Sequence, residues 1–167
     1  MGTEETTTPK KKKRGLLRML KSTGTRTYFF YPIPVIALEW LIEGGELTFV
    51  AWGIPLMVIG FLLHYAVSHY RTKLGGGGPG LSNPPERLVT TGPFSLSRNP
   101  MYMGHMIFIL GLAVTFHSLP ALLLVTGLLH WYDERAREDE RQLEQLFGAE
   151  YKSYTQRVPR WLPGLPG

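Results

Sequence analysis

The sequence predicts an all-α chain, a polytopic membrane protein of about four transmembrane helices with a helical, polar carboxy-terminal region. Three observations predict it. Residues 28–42 and 47–70 are apolar, residues 101–132 are apolar throughout, and none of these stretches contains Lys or Arg. Stretches of this length and purity are candidate membrane segments. The 18 Lys and Arg fall instead into three blocks, with 8 in residues 1–27, 4 in residues 71–100 and 6 in residues 133–167. No stretch of any length alternates with the period of a strand. The average hydropathy near zero reflects the mixture of these two kinds of segment.

The elements follow in order. Residues 1–27 form a basic amino-terminal segment, with a cationic block at 10–14 and a short interfacial stretch at 16–20, expected to orient the chain or meet anionic lipid. The remainder, 28–167, is expected to be a single domain with spans at about 28–42, 47–70, 101–117 and 119–132. Residues 71–100 form a cytoplasmic loop and 133–167 a carboxy-terminal helical region. The third apolar stretch serves as two spans because His117-Ser118-Leu119-Pro120 breaks it. Each half is about 24 Å long at 1.5 Å per residue, so its ends are interfacial. The turns 43–46 and 117–120 carry no Lys or Arg, and the positive-inside rule then puts both termini and the 71–100 loop in the cytoplasm. A membrane is the expected location. Glu39, inside the first span, is expected to reach interfacial water beside Glu43 and Glu46.

Several function classes are disfavoured. No small-x-small cleavage site follows 28–42. Without cysteine there is neither disulfide nor thiol chemistry. A nucleic-acid partner is not expected, because the positive charge is spread over three segments. Gly75 to Gly78 and Gly80 lack the Gly-Lys-Ser/Thr ending of a phosphate loop, so 72–85 is read as a flexible loop beside the site. The five histidines show no metal-ligand spacing, and no metal is expected. No nucleophile elbow is present.

Two polar clusters flank the third apolar stretch. Before it runs Leu88-Val-Thr-Thr-Gly-Pro-Phe94 and then Arg98-Asn-Pro-Met-Tyr102-Met-Gly104. After it comes a charged helix from Asp133 to Glu144, followed by Phe147-Gly148, Tyr151, Tyr154 and Arg157-Val-Pro159. At 3.6 residues per turn Tyr132, Ala136, Leu143, Leu146 and Phe147 form one apolar stripe, and Asp139 and Glu140 interrupt it. Carboxylates on a buried face need a cation or donors. A structural ion pair with Arg98 or Arg137 and a ligand site are both compatible with that pattern.

The ordered set of these words, over residues 84–163, resembles the isoprenylcysteine carboxyl methyltransferase and phospholipid methyltransferase superfamily, in particular its short bacterial members. The resemblance implies an S-adenosylmethionine-dependent methyltransferase acting on a lipophilic acceptor, either an isoprenylcysteine-like carboxylate or a phospholipid amine. It implies that Arg87, Leu88 and Val89 run along the adenosine, and that Phe94, Asn99, Pro100 and Tyr102 surround the cofactor. Asp139 and Glu140 would meet its ribose hydroxyls or ammonium. Arg98 would face its carboxylate or the acceptor, with Arg98 and Glu140 as the catalytic candidates. Arg135 matches a position linked to substrate. This chain departs from the eukaryotic pattern at Asn99, Phe94 and Asp139, where that pattern has His, Tyr and Glu. A carboxylate acceptor needs no general base, whereas an ammonium must first lose a proton, and Glu140, Tyr102 and His105 are the nearest candidates. A sterol-reductase-like enzyme using NADPH and a non-catalytic membrane adaptor are the alternatives.

Overall fold

The computed structural model describes residues 22–77 and 84–162. The basic block at 10–14, the stretch at 16–20 and residues 78–83 of the glycine-rich loop lie outside the described residues. Among the described residues the chain is all-helical.

A helical turn, Thr23–Thr25, leads into a π turn, Arg26–Phe30, and then into α1, Pro32–Ile42. Proline has no N–H to give and crowds the carbonyl four residues back. Pro32 and Pro34 sit where the ladder changes, and Tyr31 N–H reaches the Arg26 carbonyl, five residues back, at 2.9 Å. The expected first span at 28–42 therefore contains only an 11-residue regular helix. Its end is a glycine turn, with Gly44 at φ 70° and Gly45 at φ 98°. Glu43 accepts from the backbone N–H and hydroxyl of Thr48, each at 2.9 Å, which holds this exposed carboxylate below its ordinary range.

Helix α2 is Gly53–Gly75. It starts six residues later than the expected span and ends five residues later, because Arg71 to Lys73 do not break a helix, whereas Gly76 at φ 69° does. Among the described residues it is the one helix long and apolar enough to cross a membrane. Helix α3, Pro100–Thr115, is apolar but shorter. Helix α4 runs unbroken from Leu119 into the charged region and ends at Thr155, with one non-helical residue, Gly148 at φ 51°. The expected fourth span and the charged helix are thus one element of 37 residues. The break expected near His117 is present: His117 adopts φ 48°, and Ser118 caps α4 by accepting from Ala121 N–H at 2.9 Å.

Helix α3 is the axis of the fold, with 11 of its 16 residues buried. It lies antiparallel against α2 across a seam of glycines. A Cβ on Gly60 would come 2.5 Å from the Phe108 backbone nitrogen, and one on Gly104 would come 2.8 Å from the Gly60 carbonyl. Gly53 and Gly111 repeat the contact seven residues along each helix. Small residues let apolar helices approach through their backbones. On the other side of α3, Tyr102, Phe108 and Ile109 pack with Leu128, Tyr132 and Ala136 of α4.

The outward faces of α1, α2 and the first half of α4 are covered with exposed apolar side chains, among them Trp40, Leu41, Val58, Ile59, Phe61, Leu122 and Leu123. Water does not favour so large a contiguous apolar surface, and a bilayer does. Glu39 departs from its expected place: it is 6% exposed and accepts from the Ser118 hydroxyl at 2.5 Å. The α4 cap, rather than interfacial water, is its partner.

Candidate active site

The amino-terminal end of α3, the second half of α4 and the segment after it close around one cleft. Asn99-Pro100 starts α3, with Pro100 in the first turn, where its missing N–H costs nothing. Gly75, at the end of α2, accepts from the N–H groups of Glu86 and Arg87 at 2.7 and 2.9 Å and so fixes the strip that follows. The cleft is narrow and opens to solvent at its mouth. Leu88, Val89, Phe94, Met101, Leu143, Tyr151 and Tyr154 give it apolar walls, and Arg71, Arg98, Asn99, Asp139 and Gln142 supply the polar groups. The Tyr154 hydroxyl donates to the Phe94 carbonyl at 2.6 Å, tying the two walls together.

The two adjacent carboxylates part company here. Asp139 lines the cleft, with its side chain 18% exposed. It accepts from the Tyr102 hydroxyl at 2.7 Å, and Arg135 lies 3.3 Å from its other oxygen. Burial pushes its carboxyl above the ordinary range, against the opposing pull of Tyr102 and Arg135. Glu140 turns to the neighbouring cluster instead. Arg160 grips it with two parallel hydrogen bonds of 3.0 Å, and the Asn99 side-chain amide donates to it at 3.1 Å. Arg98 Nε stands 3.6 Å from the same oxygen and makes no hydrogen bond. Arg160 also approaches Asp133 at 3.5 Å, while Trp161 Nε1 donates to Asp133 at 3.1 Å. Hydrogen bonds from Arg137 and Trp161 hold the Asp133 carboxyl below its ordinary range, against the opposing effect of burial.

Of the residues singled out from the sequence, the structure brings together Leu88, Val89, Phe94, Arg98, Asn99, Pro100 and Asp139 on the cleft wall. Tyr102 lies directly behind, buried and bonded to Asp139. Arg135 touches Asp139 from the outer side. Arg87 is exposed and does not line the cleft; its backbone, held by Gly75, is what shapes the strip. Leu146, expected on the buried stripe, is 54% exposed, and Tyr151 and Tyr154 continue that stripe past Gly148. Arg160 was not singled out. Its partner lies twenty residues away, beyond the Gly148 kink, where helical periodicity no longer relates positions.

The phospholipid methyltransferase profile matches residues 48–150, which takes in α2, α3 and most of α4. The chain belongs to the phospholipid methyltransferase family. Among curated proteins this family member is similar to the protein-S-isoprenylcysteine O-methyltransferase of Schizosaccharomyces pombe, 31% identical over 77% of this chain and 64% of that protein. It is similar to protein-S-isoprenylcysteine O-methyltransferase B of Arabidopsis thaliana, 33% identical over 46% of this chain and 40% of that protein. It also resembles the cobalt-zinc-cadmium resistance protein CzcN of Cupriavidus metallidurans, 35% identical over 47% of this chain and 36% of that protein. The chain thus spans less than two thirds of the length of these relatives. No solved structure matches it.

Proposed function

We propose that the chain transfers a methyl group from S-adenosylmethionine to a lipophilic acceptor at a membrane surface. The observation that carries this reading is Asp139, a carboxylate held at the wall of an apolar cleft that opens at the end of the helical layer. The residues present fit such a cofactor. Leu88, Val89, Phe94, Tyr151 and Tyr154 would hold the adenosine and exclude water. Asp139 would accept hydrogen bonds from ribose hydroxyls or the ammonium, and Tyr102 fixes its orientation. Arg98, whose buried Nε makes no hydrogen bond, would meet the carboxylate. When bound, the cofactor supplies an activated sulfonium methyl, so the chain's task is to align donor and acceptor and keep water out. Glu140 acts through Arg160 and Asn99, holding the 159–162 segment over the end of α3. Arg135 is the proposed substrate-side cation. The isoprenylcysteine methyltransferase names of the relatives support an acceptor with an apolar chain.

Calorimetry on the detergent-purified full chain tests the reading. S-adenosylhomocysteine is expected to bind and NADPH is not. Binding of NADPH alone, or of neither, overturns it.

We further propose that the apolar segments form four membrane passages or interfacial entries in a bacterial inner membrane, with both termini cytoplasmic. A cysteine at Gly45 should react with an impermeant reagent added outside intact cells, and one at Gly77 should not. Outside labelling of Gly77 refutes this topology.

A further inference from the structure

One wall of the cleft hangs on a single glycine. Gly148 has φ 51° and ψ −120° inside an otherwise helical run, a combination that L side chains rarely adopt. A Cβ there would meet nothing within 4 Å. Glycine at this position therefore serves the bend of the chain and no close packing. Beyond it, Tyr151 and Tyr154 lie over the cleft and pack with Leu88, Leu143 and Phe147. Helical angles at residue 148 would redirect both rings along the α4 axis and away from the cleft.

The far end of this segment is fastened at three consecutive residues. The Pro159 carbonyl accepts from the Arg98 N–H at 3.0 Å, and the Arg160 carbonyl accepts from the Ser97 hydroxyl at 2.9 Å. The Arg160 guanidinium forks onto Glu140, and Trp161 Nε1 donates to Asp133. Each of these bonds joins one protein group to another, so they hold the segment down with or without a ligand beneath it. The facing walls are anchored. The glycine seam fixes α3 against α2, and Gly75 holds the strip that carries Leu88 and Val89. The cleft is narrow, so a nucleoside-sized molecule passes only when a wall moves.

We propose that residues 149–162 form a gate over the cleft, hinged at Gly148 and latched by Arg160 on Glu140. The proposal rests on the methyl-transfer reading for the identity of the ligand, and on the chain alone for the movement. Gates of this kind set entry and release, and their hinges are a few residues that absorb a large change in φ and ψ. The latch acts equally on the occupied and the unoccupied gate. Weakening it therefore speeds association and dissociation by the same factor and leaves their ratio, the dissociation constant, in place. Loss of a residue that touched the ligand would instead act mostly on dissociation.

The test measures S-adenosylhomocysteine association and dissociation rates on the full chain in nanodiscs, by surface plasmon resonance. Gly148→Ala introduces no clash, and its strain falls on the closed form alone. Both rates are expected to rise about tenfold, with the dissociation constant held within about threefold. Glu140→Gln loosens the latch and should move both rates in the same direction. Distances between spin labels report the movement without any ligand. The chain has no cysteine of its own, and Lys73, at the end of α2, and Arg157, on the gate, are both exposed. Labels on cysteines at those two positions should show an added, longer distance in Gly148→Ala. Unchanged rates with a lowered melting temperature make the segment a fixed wall and overturn the proposal. A dissociation constant raised through dissociation alone makes these residues ligand contacts and overturns it as well. If S-adenosylhomocysteine does not bind, the methyl-transfer reading fails and the label distances alone decide the gate: a longer population sustains it, and an unchanged one refutes it.

Discussion

Helix α3 is held on one side by removing side chains and on the other by charging them. Against α2 it meets glycine with glycine, so backbone lies on backbone with no room between. At its amino-terminal end it meets α4 and the final segment through Asn99, Tyr102, Asp139, Glu140 and Arg160, a network of directional hydrogen bonds. The first contact tolerates no added atom. The second tolerates changes of shape better than changes of charge. The difference separates a seam that sets where α3 lies from a junction that sets what α3 presents.

Substitutions at each contact put that difference to the test. The largest effect is expected from Gly60→Leu, whose Cβ alone would come 2.5 Å from a backbone nitrogen that cannot rotate away. Folded, monodisperse protein in detergent should be lost. Gly127→Leu, on the α4 surface with nothing within 4 Å, should leave the yield unchanged. Equal behaviour of the two variants would show that close packing does not define the seam.

Arg160→Ala comes next. It strips the fork from Glu140, whose side chain is only 12% exposed, and leaves that charge without its main partner. A loss of about 3 kcal/mol is expected, or roughly 6–12 °C in melting temperature for a chain of this size. A drop no larger than that of an exposed arginine such as Arg157 would place the network's strength elsewhere.

Asp139→Asn should act on affinity rather than on stability. One charge-assisted hydrogen bond lost to the cofactor weakens S-adenosylhomocysteine binding by about 1.5–3 kcal/mol, roughly ten- to a hundredfold. Glu140→Gln should do the reverse, lowering the melting temperature more than the affinity. A swapped pattern would exchange the two roles.

The smallest effect concerns pH. Burial raises the folded-state pKa of Asp139 above its ordinary 3.8. Between those two values the folded chain holds more protons than the unfolded one. Stability from this group is therefore full below the ordinary value and falls as the pH rises through the raised one. Thermal melts across that window should flatten in Asp139→Asn, and an unchanged slope would remove the effect.

Helical segments and their breaks were legible because apolar runs, prolines and glycines act locally. His117 to Pro120 broke the chain where expected, and the interrupted stripe at Asp139 and Glu140 pointed to buried carboxylates. What was not legible lies between elements. Arg98 does stand 3.6 Å from Glu140, as the ion-pair reading has it, but the main partner of Glu140, Arg160, is brought back by a kink at Gly148. His64 and His105 do not share a helix, and only the glycine seam between α2 and α3 stacks their rings. The continuity of α4 also escaped notice, because its composition changes sharply at Asp133 while its backbone does not.

That continuity has a mechanical side. Between Leu119 and Phe147 the backbone of α4 keeps helical geometry. Asp139 sits twenty residues along it, about 30 Å from its start at 1.5 Å per residue. A tilt of about 5° pivoting at Leu119 displaces Asp139 by about 2.6 Å, close to one hydrogen-bond length. The helix is a lever with its fulcrum among apolar side chains and its working end at the cleft. A small tilt at the apolar end therefore changes the gauge of the cleft at the other.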